Sequence, residues 1–91
     1  MLFRSEASCN AKFTKVPVGN TVTFTNTSEG TFTDYFWDMG DGKYYSTQNV
    51  THTYANAGYY EVCLTVFDDE SECMDDYCSV VIIVGDRKSV V

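Results

Sequence analysis

Alternation of apolar and polar side chains is the feature that most constrains the fold of this chain. Thr21–Asn26 and Tyr60–Phe67 both alternate along their length, as half-buried antiparallel strands do. The spacing of apolar residues that an amphipathic helix requires is not sustained anywhere in the sequence. The pattern therefore predicts an all-β protein.

Turn signals divide the sequence into short strands at the intervals typical of a β-sandwich. A chain of 91 residues fits one domain, and we predict an immunoglobulin-like, seven-stranded antiparallel β-sandwich. The sandwich is expected to span residues 11–84, between an N-terminal lead-in (1–10) and a C-terminal tail or linker (85–91). The predicted strands are Ala11–Val16, Thr21–Asn26, Thr33–Asp38, Lys43–Ser46, Val50–Tyr54, Tyr59–Phe67 and Tyr77–Val84.

The charge of the chain limits the partners it can bind. The net charge is −7, and the segment from Phe13 to Val84 holds two bases against eleven acids. Nucleic-acid affinity comes mostly from Lys and Arg on phosphates, so we expect no nucleic-acid partner. Anionic membrane surfaces are disfavoured for the same reason. No apolar run approaches the roughly 18 residues of a membrane helix, and the first residues lack the pattern of a signal peptide, so we expect no membrane insertion.

The four cysteines predict disulfides and an oxidising compartment, because their number is even and the domain is small. A zinc site is less favoured, since no C-x-x-C pair is present. If Glu70 and Ser71 form the last turn, Cys63 lies opposite Cys78 at a distance that a disulfide can bridge. Cys9 and Cys73 would then link the start of the first strand to the last hairpin loop. Four cysteines allow three pairings, and the other two remain open.

Three segments carry a resemblance to a known family. Phe36–Gly42 reads F-W-D-M-G-D-G, His52 begins H-T-Y, and Gly58–Val66 reads G-Y-Y-E-V-C-L-T-V. In this order and spacing they closely resemble the PKD (polycystic kidney disease) domain family, whose pattern is W-D-F-G-D-G, H-x-Y and G-x-Y-x-V-x-L-x-V. Met39 stands where an aromatic residue is usual. The cysteine set resembles that of microbial secreted members of the family.

Structural roles are expected for the motif residues, which are Trp37, Asp38, Gly40, Asp41, Gly42, His52, Tyr54 and Gly58. Trp37 has the inward phase of its strand, and Gly-Asp-Gly can form a tight turn that the Asp41 carboxylate caps. His52 and Tyr54 share a strand face near that turn. His52 is the only histidine, so a nucleophile with its own base is not evident, and we expect no catalytic residues.

Two surface features are candidates for binding. Tyr35, Tyr44 and Tyr45 are expected to be partly exposed and could stack on sugars or anchor a protein, although strands also use aromatics simply to line a sheet. Asp68, Asp69 and Glu70 are weak candidate ligands for a structural Ca²⁺, and a solvated acidic hairpin explains them equally well. No other cofactor is expected. An unpaired edge strand is a further candidate, because its backbone groups could recruit another chain.

The resemblance implies a non-catalytic accessory domain of a larger secreted or cell-surface protein, such as a protease or glycoside hydrolase. Such a domain acts as a spacer or as a module for protein or substrate interaction. Its partners would be neighbouring domains of the parent protein. Two alternatives are a targeting module for an insoluble polysaccharide or protein polymer, and a calcium-stabilised adhesion repeat.

Overall fold

The computed structural model describes residues 9–84, which form seven β-strands and no helix. Accordingly, these residues contain no long apolar helix of the kind that crosses a bilayer. The strands are β1 (Phe13–Val18), β2 (Thr21–Asn26), β3 (Asp34–Asp38), β4 (Tyr44–Tyr45), β5 (Val50–Thr53), β6 (Gly58–Asp68) and β7 (Cys73–Ile83).

The strands form two antiparallel sheets, one with the order β1-β2-β5 and one with the order β4-β3-β6-β7. The predicted immunoglobulin-like β-sandwich is confirmed. Every pairing between named strands is antiparallel, which explains why the period-two pattern is so clear in the sequence, because each sheet faces the core on one side only.

The core lies between the two sheets, where their apolar side chains face each other. Trp37 of β3 is fully buried and packs against Phe13 and Phe24, whose ring centroids lie 5.1 and 5.6 Å from its own. Tilted and edge-on ring pairs of this kind add stability beyond the area that they bury. The other buried apolar side chains are Ala11, Val22, Met39, Val50, Tyr54, Val62, Leu64, Val66, Val81 and Ile83.

The hairpin of β6 and β7 has the predicted register and is longer than predicted. Cys63 pairs with Cys78, as expected, and the ladder continues to the pair Asp68–Cys73. The prediction that the last strand begins at Tyr77 was therefore wrong. The turn consists of the residues 69–72, in which Glu72 adopts a positive φ of 59°. Asp68, Asp75 and Asp76, which resemble loop residues in the sequence, are ladder residues.

Strand β1 is displaced by two residues from its predicted position. Ala11 is buried like a strand residue, but its N–H donates to the Asp75 carboxylate at 2.8 Å and takes no part in the β1–β2 ladder. The ladder begins at Phe13 and continues through Pro17 to Val18. A proline is tolerated there because β1 is an edge strand.

The edges β1 and β7 of the two sheets run side by side and are joined by side chains. Each of four contacts links a residue to the one 64 positions later. They are the disulfide Cys9–Cys73, the hydrogen bond from Ala11 N–H to Asp75, the edge-on ring pair Phe13–Tyr77 and the hydrogen bond from Lys15 Nζ to Ser79 Oγ. This constant offset places β1 parallel to β7 across one side of the sandwich.

Both predicted disulfides are confirmed. Cys9–Cys73 links the segment before β1 to the start of β7, with Cα atoms 6.2 Å apart. Cys63–Cys78 joins directly paired residues of β6 and β7, with Cα atoms 4.0 Å apart. The first bond therefore connects the two sheets, whereas the second lies within one sheet.

We expect the two disulfides to contribute unequally to stability. Cys9–Cys73 closes a loop with a sequence separation of 64, against 15 for Cys63–Cys78. The chain-entropy relation then predicts losses of about 4 and about 3 kcal/mol in the free energy of unfolding for the paired variants Cys9→Ala/Cys73→Ala and Cys63→Ala/Cys78→Ala. Urea unfolding of both variants measures the difference, and a larger loss for the second pair would contradict this order.

Candidate functional site

The turn between β3 and β4 is built by two aspartates that bind backbone N–H groups. Asp38 Oδ1 accepts from the N–H of Gly40 at 3.0 Å, and Asp41 Oδ1 accepts from the N–H of Lys43 at 3.2 Å. The Met39 N–H donates to the Lys43 carbonyl at 3.0 Å and closes the turn. Each aspartate thus satisfies a donor that the tight turn would otherwise leave unpaired.

Glycine is required at position 40 for two independent reasons. Its φ is +84°, and a Cβ built there would lie 2.7 Å from the carbonyl oxygen of Glu61 on β6. Gly42 has a similar φ of +91°, but none of the described residues has an atom within 4 Å of the equivalent Cβ position. The first glycine therefore sets both the shape of the turn and its close approach to β6, and the second sets the shape alone.

A chain of hydrogen bonds joins this turn to β5 through His52. The Nε2 of His52 lies 2.8 Å from Asp41 Oδ2, and its Nδ1 lies 2.8 Å from the Tyr45 hydroxyl. The ionised carboxylate can only accept, so we assign the imidazole proton to Nε2 and the Tyr45 hydroxyl as donor to Nδ1. His52 is 6% exposed, and the chain links β5 of one sheet to the β4 side of the other.

Tyr54 and Trp37 make two further bonds around the same turn. The Tyr54 hydroxyl donates to the Met39 carbonyl at 2.9 Å, and Trp37 Nε1 donates to the Thr47 carbonyl at 2.9 Å. Burial raises the pKa of Tyr54 well above its ordinary value, with the Asp41 charge adding to the effect. The hydroxyl therefore stays protonated and keeps its bond to Met39 at physiological pH.

The arrangement of Asp41, His52 and Tyr45 has a structural role and lacks the parts of a catalytic relay. Both imidazole nitrogens of His52 are bonded within the protein, so neither is free to take a proton from a substrate. A relay also needs a nucleophile within reach of the base, whereas the group that binds the second nitrogen within residues 9–84 is the half-buried phenol of Tyr45. The motif histidine thus bridges the two sheets.

The structure does not bring the three candidate tyrosines together on one surface. Tyr35 and Tyr45 are half-buried and pack against the core, while Tyr44 is 57% exposed. Tyr35 shares the inward phase of Trp37, and adjacent residues such as Tyr44 and Tyr45 point to opposite faces of a strand. Tyr35, Tyr44 and Tyr45 therefore do not form one contiguous strip, and a binding role for them stays a prediction.

The aromatic ring that packs beside Tyr44 is that of Phe36. We call the side of the sheet β4-β3-β6-β7 that faces away from the core the outer face. On it, the rings of Phe36 and Tyr44 are nearly parallel, with centroids 5.5 Å apart and planes at 19°. Phe36 is 49% exposed. It lies one residue before Trp37, so strict alternation already implied its outward direction, a signal that is missed when only tyrosines are considered.

The three candidate calcium ligands lie at the turn between β6 and β7. Asp68 Oδ2 accepts from both the N–H and the hydroxyl of Ser71, at 3.2 and 2.7 Å, and Asp68 is 8% exposed. The Ser71 hydroxyl lowers the pKa of Asp68 from its ordinary value of 3.8. Asp69 and Glu70 are exposed. The Asp68 carboxylate thus stabilises the turn, and calcium binding stays a prediction.

One further group of ligand-type side chains lies on the outer face. Glu61, Cys63 and Cys78 place a carboxylate oxygen and two sulfurs within 4.8 Å of one another. Both sulfurs are joined in the Cys63–Cys78 disulfide. Because the thiolate is the form of cysteine that binds a metal, this group has no ligand set while the disulfide is intact.

Comparison with known proteins points to one family. A sequence model described as PKD domain matches residues 7–82. The PKD1 domain of Vibrio anguillarum Epp is 28% identical, with a TM-score of 0.80, over 87% of this chain and 96% of that domain. The PKD1 domain of the Vibrio cholerae metalloprotease PrtV is 32% identical, with a TM-score of 0.77, over 84% of this chain and 96% of that domain.

Two further solved structures are similar in fold. A structure described in terms of carbohydrate-binding modules from the β-sandwich superfamily is 27% identical, with a TM-score of 0.76, over 86% of this chain and 35% of that chain. The PKD domain of the human receptor SorCS2 is 20% identical, with a TM-score of 0.69, over 84% of this chain and 73% of that chain. No curated protein matches the sequence.

The two glycines of the turn provide a matched test of the packing against β6. Gly42→Ala should cost about 1–2 kcal/mol of unfolding free energy, the strain of a positive φ in a residue with a Cβ. Gly40→Ala adds contact with the backbone of Glu61 and should cost about 1–3 kcal/mol more, as overpacking does. Urea unfolding measures both values, and equal losses would show that β6 does not restrict position 40.

Asp68, at the turn between β6 and β7, should make the stability of the protein depend on pH. The lowered pKa of Asp68 means that its ionised form stabilises the folded state. This contribution is complete above the ordinary pKa of 3.8 and is lost as the pH falls through the lowered value. The difference in unfolding free energy between the wild type and Asp68→Asn should thus be larger at neutral pH than near pH 2.

Asp69→Asn is the matched control for this measurement, because Asp69 is the adjacent acid and is exposed. Its difference from the wild type should vary less with pH than that of Asp68→Asn. A pH-independent difference for Asp68→Asn would mean that the bond to Ser71 does not favour the ionised carboxylate.

Proposed function

The chain belongs to the PKD domain family, and on this premise we propose that it is a non-catalytic accessory domain of a larger secreted or cell-surface protein. One observation carries the proposal. The only histidine is bonded at both nitrogens by Asp41 and Tyr45, so the motif shared with the family is used to hold the two sheets together.

The disulfides support a location outside the cell, and one comparison supports the kind of parent protein. Both disulfides pair all four cysteines, and such bonds persist in oxidising compartments. One similar structure comes from a bacterial metalloprotease, PrtV. A parent protein with a hydrolase domain, either a protease or a glycoside hydrolase, is the corresponding proposal for this chain.

A spacer requires a sandwich whose two sheets keep their relative position when the neighbouring domains pull on it. Here the sheets are joined on one side by the Cys9–Cys73 disulfide and on the other by the bonds of His52. Both sides of the sandwich are thus closed by contacts between sheets. This supports a role in setting the distance and orientation between neighbouring domains of the parent protein.

A second candidate, a targeting module for an insoluble polymer, is favoured by the pair Phe36–Tyr44. The two rings are nearly parallel, and about half of each side chain is exposed on the outer face. Exposed aromatic faces stack on sugar rings or insert into protein surfaces. The similar structure described in terms of carbohydrate-binding modules shares the β-sandwich architecture of this chain, which agrees with this candidate.

Depletion by insoluble polymers separates the two candidates. The oxidised protein is mixed with chitin, cellulose, collagen or denatured protein, with calcium or with a chelator, and the soluble fraction is measured. A targeting module should be depleted from the soluble fraction by one polymer in a saturable way. The amount of the double variant Phe36→Ala/Tyr44→Ala bound to that polymer should be at least tenfold lower. The aromatic Tyr59, which is 78% exposed, provides the control variant Tyr59→Ala.

Each outcome has a defined meaning. Unchanged retention of the double variant would show that Phe36 and Tyr44 do not bind the polymer. If no polymer retains the protein, the targeting function is rejected and the spacer role is kept. Equal thermal unfolding in calcium and in chelator would remove the calcium-stabilised repeat, since a ligand of the folded state raises its apparent stability.

A further inference from the structure

The outer edge of β7 offers unpaired backbone groups over its full length. β7 is the last strand of its sheet and contains eleven residues. Within residues 9–84, no strand pairs with the side of β7 that faces away from β6. Such an edge is a template for pairing with another extended chain.

Two observations show which residues have these free groups. The Phe67 carbonyl accepts from Thr33 N–H at 2.8 Å, so Phe67 and the alternate residues of β6 direct their backbone groups towards β3. Cys63, in the same phase, lies 4.0 Å from Cys78 at Cα, the short separation of a pair that shares no backbone hydrogen bonds. It follows that Cys78, Val80 and Ile82 direct N–H and C=O groups to the open edge.

The other three edge strands are blocked or short. β1 contains Pro17, which lacks an N–H, and Lys15 in an inward phase, two features that natural edges use against pairing. β4 has two residues and β5 has four. β7 has no proline, lysine or arginine, and its final part reads S-V-V-I-I, a sequence with high β propensity.

Apolar and acidic side chains adjoin the free backbone groups. Val80 is 49% exposed and Ile82 is 55% exposed, and Tyr59 is the direct neighbour of Ile82 on the outer face. Glu61 of β6 lies opposite Val80, and Asp76, which precedes Val80 on β7, points to the same face. The whole sheet β4-β3-β6-β7 contains no lysine or arginine. Lys15, the nearby base, contacts Ser79 from the core side of the sheet.

We propose that β7 binds an extended, cationic segment of a partner protein as an additional strand along Cys78–Ile82. Backbone hydrogen bonds to the open edge would supply the pairing, as in β-strand addition. Basic residues of the segment that share the outer face would pack their aliphatic stems on Val80 and Ile82, and their charged ends would reach Glu61 and Asp76. The proposal holds whether the domain is a spacer or a targeting module.

Charge decides between this partner and a second copy of the chain. Two copies paired along β7 would each have a net charge of −7, so association would work against electrostatic repulsion. A basic segment is attracted by the same charges. The sheet thus favours a cationic partner.

The test uses two six-residue peptides with blocked ends, one alternating valine and lysine and the other alternating valine and glutamate. Each is titrated into the oxidised chain and followed by calorimetry. The lysine peptide should bind at least tenfold more tightly than the glutamate peptide, and its affinity should fall as salt is added, because the attraction is screened. Equal affinity of the two peptides would overturn the cationic partner.

Two pairs of variants separate strand addition from simple charge attraction. Ile82→Pro removes an edge N–H without changing charge and should weaken binding at least tenfold, while Met74→Pro, in the same phase at the far end of β7, should leave it unchanged. Asp76→Asn should weaken binding about threefold, while Asp34→Asn on β3 should have no effect. Thermal unfolding verifies that each variant is folded.

Three results would contradict the proposal. Unchanged binding by a folded Ile82→Pro variant would show that the edge is not used. Unchanged binding by Asp76→Asn would show that the acidic side chains of the sheet do not attract the segment, and would overturn the cationic partner. Concentration-dependent dimerisation in sedimentation experiments, lost in Ile82→Pro, would assign the edge to a second copy of the chain.

Discussion

The carboxylate of Asp41 is the group on which the arrangement of the two sheets depends. One oxygen holds the turn after β3, and the other binds His52 on the opposite sheet at 2.8 Å. The carboxylate reaches both from a turn in which Gly40 has a φ of +84° and lacks a Cβ that would lie 2.7 Å from the carbonyl oxygen of Glu61. A short glycine turn, a buried histidine and the distance between sheets are therefore parts of one constraint.

The opposite side of the sandwich is closed by different means. There, β1 and β7 are joined by a disulfide, a carboxylate, a ring pair and a lysine at a constant offset of 64 positions. On β7 all these contacts are made by side chains, so within residues 9–84 its backbone remains unpaired at the outer edge. Closing a sandwich through side chains secures the core without extending either sheet, and this explains how a stable domain can keep an open strand.

Prediction from sequence worked where a single period determines the outcome. Alternation placed Trp37 inside, and a constant register from one assumed turn paired Cys63 with Cys78. It failed at the start of β1, where the N–H of Ala11 binds the Asp75 carboxylate instead of joining the ladder, because no local pattern encodes that contact. Asp75 and Asp76 resemble loop residues in composition, yet they lie in β7 because pairing with β6 outweighs their low β propensity.

Acidic residues do more in this domain than keep it soluble. Asp38, Asp41 and Asp68 shape turns through specific hydrogen bonds, while Glu61 and Asp76 lie beside the open edge of β7. An edge can be protected by a proline, which excludes every partner, or by charge, which excludes only partners of like charge. β7 has the second kind of protection, so the charge that keeps copies of the domain apart leaves the strand accessible to a basic chain.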